Sequence, residues 1–140
     1  MYRDAQLRLS NAQALTTGTQ VSTNSIDMLV ANRNLGRGGG LRMYINVDVT
    51  FTGGTSVQPQ IIESDNADLS SPSVLVTGPA RAEAVLVAGR VVWDALMPDT
   101  SKRYIGVQYV NVGTHTAGAV SAHIVANTDN ANNLPAWTGR

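Results

Sequence analysis

Leu41-Arg42-Met43-Tyr44-Ile45-Asn46-Val47-Asp48-Val49-Thr50-Phe51 places an apolar side chain at every odd position and a polar atom at every even one. Successive side chains of a strand point to opposite faces, so this alternation reads as a β-strand with one dry and one wet face. A helix would spread the same six apolar residues around its whole circumference. At about 3.3 Å per residue the strand spans roughly 36 Å, long for a domain of this size. A slip of one residue would turn all six apolar side chains into water, so the pairing register is strongly specified.

Immediately downstream, Thr52-Gly53-Gly54-Thr55 reads as a hairpin, because a Gly-Gly pair supplies the positive φ angles of a primed turn. The returning strand is expected over Val57 to Ser64. Pro59 lacks an N–H, which puts that strand at a sheet edge or puts a bulge at Pro59, and an open edge can accept a strand from another chain. Asp65 to Ser73 is turn-rich. Its Asp65 and Asp68 lack the spacing and closing Glu of a calcium loop and read as a capped turn. Val74 to Thr77 is a short strand ended by Gly78-Pro79. Ala80 to Val87 has helical composition but is too short to stand alone. Arg90 to Met97 resumes a strand with Val91, Trp93 and Ala95 on one face. Trp93 reads as packing, or as a sugar-stacking platform. After the turn Pro98-Asp99-Thr100-Ser101, Tyr104 to Val112 and Ala119 to Ala126 form an expected hairpin around Gly113 to Gly118. His123 points away from Val120, Ala122 and Ile124 and is expected to face solvent, and His115 is expected in the turn.

Upstream, Ala31 to Gly40 holds four glycines and two asparagines and reads as a loop. It carries Arg33 and Arg37, with Arg42 following and no acid between Asp27 and Asp48, so it is locally cationic. No Gly-Lys-Ser/Thr follows, which removes a phosphate-cradling reading. It is either a basic loop docking on an acidic surface or a solvated connection. Residues 25 to 30 read as a strand, and Ala12 to Leu15 and Gln20 to Thr23 as short edge strands. Residues 1–11 are an N-terminal arm or a first short strand, carrying Arg3 and Arg8. Residues 127–140 are a polar tail whose Leu134 and Trp137 need a surface to cover them, on this chain or a neighbour.

The 140 residues make one domain, expected over 12–126, with no cysteine. Charged residues are only 14%, against roughly 25% in typical soluble domains, and the formal net charge is zero. Little repulsion opposes association of such a surface, which suits a protein covered by neighbours as well as a low-charge monomer. Nine of ten basic residues are arginine, the side chain favoured at interfaces, although coding bias gives the same count. Zero net charge argues against nucleic acid. Met1 to Arg8 lacks the apolar core of a signal peptide and no apolar run approaches the ~18 residues of a membrane span, so a cytoplasmic origin is expected.

The strand count of eight or nine, with turns every 8 to 12 residues, indicates an all-β fold: an antiparallel two-sheet β-sandwich of jelly-roll type. The chemistry-bearing residues do not cluster. There are two histidines, no His-x-His or His-Glu-x-x-His spacing and no Gly-x-Ser-x-Gly elbow, and the only glutamates are Glu63 and Glu83. A carboxylate pair such as Asp94 and Asp99 is not singled out by anything around it. The expectation is a protein that is not an enzyme, with no metal and no cofactor.

Ala12 to Thr16, Ser22 to Asp27, Phe51 to Ser56, Ser71 to Leu75, Leu86 to Gly89, Lys102 to Ile105 and Thr116 to Val120, in this order and spacing, resemble the small jelly-roll capsid cement (decoration) proteins of Bordetella-phage-type tailed-phage heads. The resemblance covers about residues 12 to 126. It implies a virion structural protein on the outer capsid surface, made in the bacterial host cytoplasm. Such a protein bridges neighbouring subunits of a major capsid protein with the HK97-like fold, without enzymatic activity, cofactor, nucleic acid or membrane. A homodimer or homotrimer at a capsid symmetry axis is the expected assembly. The candidate contact residues are Arg3, Arg8, Arg33, Arg37 and Arg42 for partner carboxylates, Pro59 for an open edge, and Leu134 and Trp137 in the tail. The competing reading is a jelly-roll carbohydrate-binding or adhesin module of a phage tail or fibre, which would display coplanar aromatics.

Overall fold

The computed structural model describes residues 3–32 and 40–126. Arg33, Arg37, Leu134 and Trp137, and with them most of the glycine loop and all of the tail, lie outside the described residues. The strands are β1 (Arg8–Ala14), β2 (Gly18–Val21), β3 (Ile26–Asp27), β4 (Arg42–Ser64), β5 (Ser73–Thr77), β6 (Arg81–Ala82), β7 (Val91–Leu96) and β8 (Tyr104–Val125). Two single 3-10 turns, at Ala5–Leu7 and Glu83–Val85, complete the regular structure among the described residues. The all-β antiparallel fold expected from the alternation is the fold observed.

The frame is the pair β4 and β8, 23 and 22 residues long, antiparallel from Arg42↔Val125 to Ser64↔Tyr104. Along the outer edge of β8 lie β1, β2 and β3; along the outer edge of β4 lie β7, β6 and β5. The sheet folds over at the middle of β4 and β8, so one end of it (β1, the C-terminal half of β8, the N-terminal half of β4, β7) packs on the other. Met43, Ile45 and Val47 from one end of β4 share a core with Val57 and Ile61 from the other, as do Val120, Ala122 and Ile124 with Val107 and Tyr109 of β8. Burying a Leu, Ile or Val side chain contributes about 1.5–3 kcal/mol. Tyr109, fully buried, donates its hydroxyl across the layers to Ser10 at 2.8 Å, while Ser10 donates to Gln13. Burial pushes the Tyr109 phenol well above its ordinary value.

Neither expected hairpin exists. Thr52 to Thr55 and Gly113 to Gly118 lie inside β4 and β8, and the ladder continues through both: Thr52↔Ala117, Gly54↔Gly113, Ser56↔Val112. Between the first two pairs the chain takes two steps along β4 and four along β8, a bulge that bends the ladder. The glycines serve this bend. Gly53 (φ 87°) and Gly113 (φ 80°) take backbone angles that cost other residues, and a Cβ on Gly54 would stand 2.1 Å from the His115 ring. His115 is therefore a buried strand residue, not a turn residue, packed edge-on to Phe51 with centroids 5.0 Å apart.

Pro59 sits in a central strand, not at an edge. Its carbonyl accepts from Gly78 N–H at 2.8 Å, so its missing donor faces the stretch between β5 and β6 where the ladder lapses. In β7, Ile45↔Trp93 is followed by Asn46↔Val91, which leaves Val92 as one extra residue. That bulge buries Val92 and exposes Val91, so the expected face of Val91, Trp93 and Ala95 is broken. The strand expected over 25 to 30 shrinks to Ile26–Asp27, and Ala80 to Val87 is split between β6 and a 3-10 turn.

Gly54→Ala is expected to lower stability by about 1–3 kcal/mol, the cost of overpacking against a buried ring. Gly89→Ala, whose Cβ would meet nothing within 4 Å, is expected to cost only the roughly 1 kcal/mol of its positive φ. Denaturant unfolding of both variants measures the difference.

Candidate functional site

The wet face of the 41–51 strand forms one wall of a cleft lined by charged side chains. Directly paired residues share a face, so the registers Arg8↔His123 and Tyr44↔His123 and Tyr44↔Asp94 set Arg8, His123, Tyr44 and Asp94 in one row across four strands. The N-terminal segment lies over this row. Arg3 stacks its guanidinium 5.7 Å from the Tyr44 ring centre, and Leu7 packs against the core. Asp4 starts the 3-10 turn by accepting from the Gln6 N–H at 2.8 Å. Beneath the segment is a cleft of about 370 Å³ lined by Arg3, Asp4, Arg8, Asp48, Ser121 and His123, among others.

The floor of the cleft is rigid. Asp48 accepts from Asn46 at 3.0 Å and from Ser121, whose hydroxyl in turn accepts the Ala12 N–H at 2.9 Å. Ala12 is the bulged residue of β1 and holds φ 45°, so the hydroxyl of Ser121 fixes an unusual backbone angle at the cleft wall. His123 is 4% exposed. It does point away from the core, as the alternation requires, yet it does not face solvent, because residues 3 to 5 cover that face. Seven buried side-chain nitrogen and oxygen atoms lack a hydrogen-bond partner among the described residues, and three of them are Arg8 Nε and both ring nitrogens of His123. The His123 pKa is held below its ordinary 6.5, first by burial and then by Arg3 and Arg8, with Asp48 acting the other way.

Three expected contact arginines thus meet on one face. Arg3 and Arg8 line the cleft, while Arg42 is already engaged by Asp94 at 2.6 Å. Pro59 is buried in β4 and is absent from this face. The other acids have structural work. Glu63, 4% exposed, accepts from Ser101 N–H (2.7 Å), Ser101 Oγ (2.6 Å) and Lys102 N–H (3.0 Å), tying down the approach to β8. Burial pushes its carboxyl up, but these donors and Lys102 outweigh burial and hold it below the ordinary value. Glu83 accepts from the Gly54 N–H at the bend. Asp68 accepts from Ser70 N–H, as a capped turn requires. Trp93 is half-buried with its ring against Gly78, a packing role and no open platform.

A second surface was not legible in the sequence. β7 pairs with β4 on one side only. Beside it a pocket of about 200 Å³ is lined by Arg81, Val85, Leu86, Arg90 and Val91. Val85, Val87 and Val91 are each 44–47% exposed and Leu96 is 62% exposed. Arg81 reaches across to the Val92 carbonyl at 3.0 Å.

Residues 9–124, from β1 to the end of β8, match the Bbp16 family. The chain belongs to that family. Bbp16 is a family of Bordetella phage proteins, so this is a phage protein, and the match takes in all eight strands, both faces of the folded sheet and every cleft residue except those of the N-terminal segment and Arg8. No curated protein matches the chain. No helix among the described residues of this Bbp16 chain is long and apolar enough to cross a membrane.

Because the folded imidazole of His123 resists protonation, the unfolded chain takes up that proton first as pH falls through about 6.5. Its contribution is complete above that pH and is lost below it. Thermal unfolding from pH 7.5 to 5 is expected to show falling stability, and His123→Gln is expected to flatten the slope. The flattening should be smaller than the one-proton ceiling of about 1.4 kcal/mol per pH unit, because the cleft admits water.

Proposed function

We propose that this Bbp16-family protein is a capsid cement: a non-enzymatic decoration protein that binds the outside of the phage head and bridges neighbouring major capsid protein subunits. The observation that carries the reading furthest is the surface beside β7, where exposed valines lie between Arg81 and Arg90 next to a strand edge with no partner among the described residues. Exposed apolar side chains flanked by arginine suit a protein contact. An unpaired edge adds main-chain hydrogen bonds when a neighbouring strand aligns with it. The cleft on the wet face of β4 supplies a second point of attachment, and a protein that bridges subunits needs at least two. The family assignment and the resemblance of residues 12 to 126 to phage cement proteins support the same reading. Outer-surface location and a symmetric homo-oligomer belong to this proposal, and weak contacts repeated over an oligomer gain avidity. The carbohydrate-binding alternative draws no support from Trp93, which is packed.

The purified protein is expected to sediment with expanded phage shells and to pass through a glycan column; retention on glycan without binding to shells would reverse the assignment. Arg81→Glu with Arg90→Glu is expected to weaken shell binding about tenfold, since two exposed ion pairs at about 0.7 kcal/mol each are lost. Raising the salt should narrow the difference.

A further inference from the structure

We propose that the cleft beneath residues 3 to 5 is a binding site for one carboxylate group, held between Arg8, Arg3 and a protonated His123. That the carboxylate is an acidic side chain of the docked shell protein rests on the cement reading; the chemistry of the cleft does not.

Three observations converge on it. The cleft, about 370 Å³, has room for a small anion and its waters. Arg8 and His123 line the cleft, and Arg8 Nε and both ring nitrogens of His123 are buried with no partner among the described residues, although buried polar atoms are normally satisfied. Of the other polar groups, Asp48 accepts from Asn46 and Ser121, Asp4 accepts from the Gln6 N–H, and one terminal nitrogen of Arg8 donates to Asn11. A neutral imidazole carries one N–H and one bare nitrogen, so the cleft holds two donors without an acceptor, Arg8 Nε–H and the His123 N–H, and one basic nitrogen that can take up a proton.

Charge selects the class of ligand. The groups facing His123 are Arg3 and Asp4 from the N-terminal segment, Arg8 from β1, and Asp48 and the Tyr44 ring from β4. With two cations and two anions the cleft is neutral while the imidazole is neutral. A monoanion entering with one proton on His123 restores that balance, whereas a dianion would leave a negative charge beside Asp4 and Asp48. A carboxylate also matches the planar fork of arginine. Since burial and the two arginines hold the imidazole of His123 below its ordinary value while the cleft is empty, an anion that favours the protonated ring couples binding to proton uptake, and each must strengthen the other.

The test is an NMR titration of the full chain in non-carboxylate buffer, with the His123 imidazole identified by its loss in His123→Gln. The probes are sodium acetate, sodium chloride and sodium phosphate at equal ionic strength. Acetate is expected to raise the His123 midpoint saturably, by about half a pH unit or more, while chloride leaves it in place. Arg8→Gln should remove the acetate response, and Lys102→Gln, at the opposite end of β8 from His123, should keep it. A midpoint equal in acetate and chloride overturns the site. A phosphate response as large as that of acetate overturns its assignment to carboxylate. The source is read separately from shell binding. If Arg8→Gln loses the acetate response yet sediments with shells as the unmodified protein does, the shell side chain is the wrong source. If the unmodified protein responds to acetate but never binds shells, the cement reading fails and the carboxylate site stands.

Discussion

Everything in this chain hangs on the ladder between β4 and β8. The six other strands pair with one or the other and never with each other. The first 27 residues contribute β1, β2 and β3, and all three dock on β8, which begins at Tyr104. The N-terminal strands thus have no partner until the C-terminal strand is in place. Such a topology is dominated by distant contacts, and the entropy of closing long loops must be met before the pairings repay it. The bend at Gly53, Gly54 and Gly113 then turns one wide sheet into two layers without ending either strand. A bulge is a cheaper device here than a turn, because it keeps backbone groups paired through the corner.

The same ladder explains why the polar side of the molecule holds recognition chemistry. Strand alternation places Arg42, Tyr44 and Asp48 opposite the core, and cross-strand register aligns Arg8 and His123 with them. A face of this composition would ordinarily be solvated. The N-terminal segment covers part of it, so polar groups that water would have satisfied become buried groups in search of a partner. The apolar surface beside β7 arises differently. A one-residue bulge at Val92 turns Val91 outward, and the short 3-10 turn leaves Val85 exposed next to Arg81 and Arg90. One attachment point is a cleft lined by charged side chains, the other a smaller pocket where exposed valines lie beside two arginines. Two unlike contacts on one rigid sandwich suit a protein that grips more than one neighbour.

The candidate site was partly legible. Arg3, Arg8 and Arg42 stand out as arginines in an otherwise charge-poor chain, and the structure does bring them to one face. Their distinct roles were hidden, because Arg42 meets Asp94 only through the pairing of β4 with β7. The alternation gives His123 its face but not its environment: period 2 sets direction, while burial depends on what lies above. Arg81 and Arg90 carried no signal at all, since a bulge is invisible to a reading that assumes unbroken alternation.

The sequence alone determined the class of structure. Alternation in 41 to 51, and again in 104 to 109 and 120 to 124, commits those residues to strands with a defined dry face, because side-chain direction in an extended backbone is a local property of the chain. Only the tertiary structure decided that the two glycine-rich segments bend their strands instead of reversing them, that Pro59 sits at the centre of the sheet, and that a histidine on the wet face is enclosed. Each of these depends on which distant segment lies alongside. A glycine permits a turn and a bulge equally, and the choice between them belongs to the partner strand.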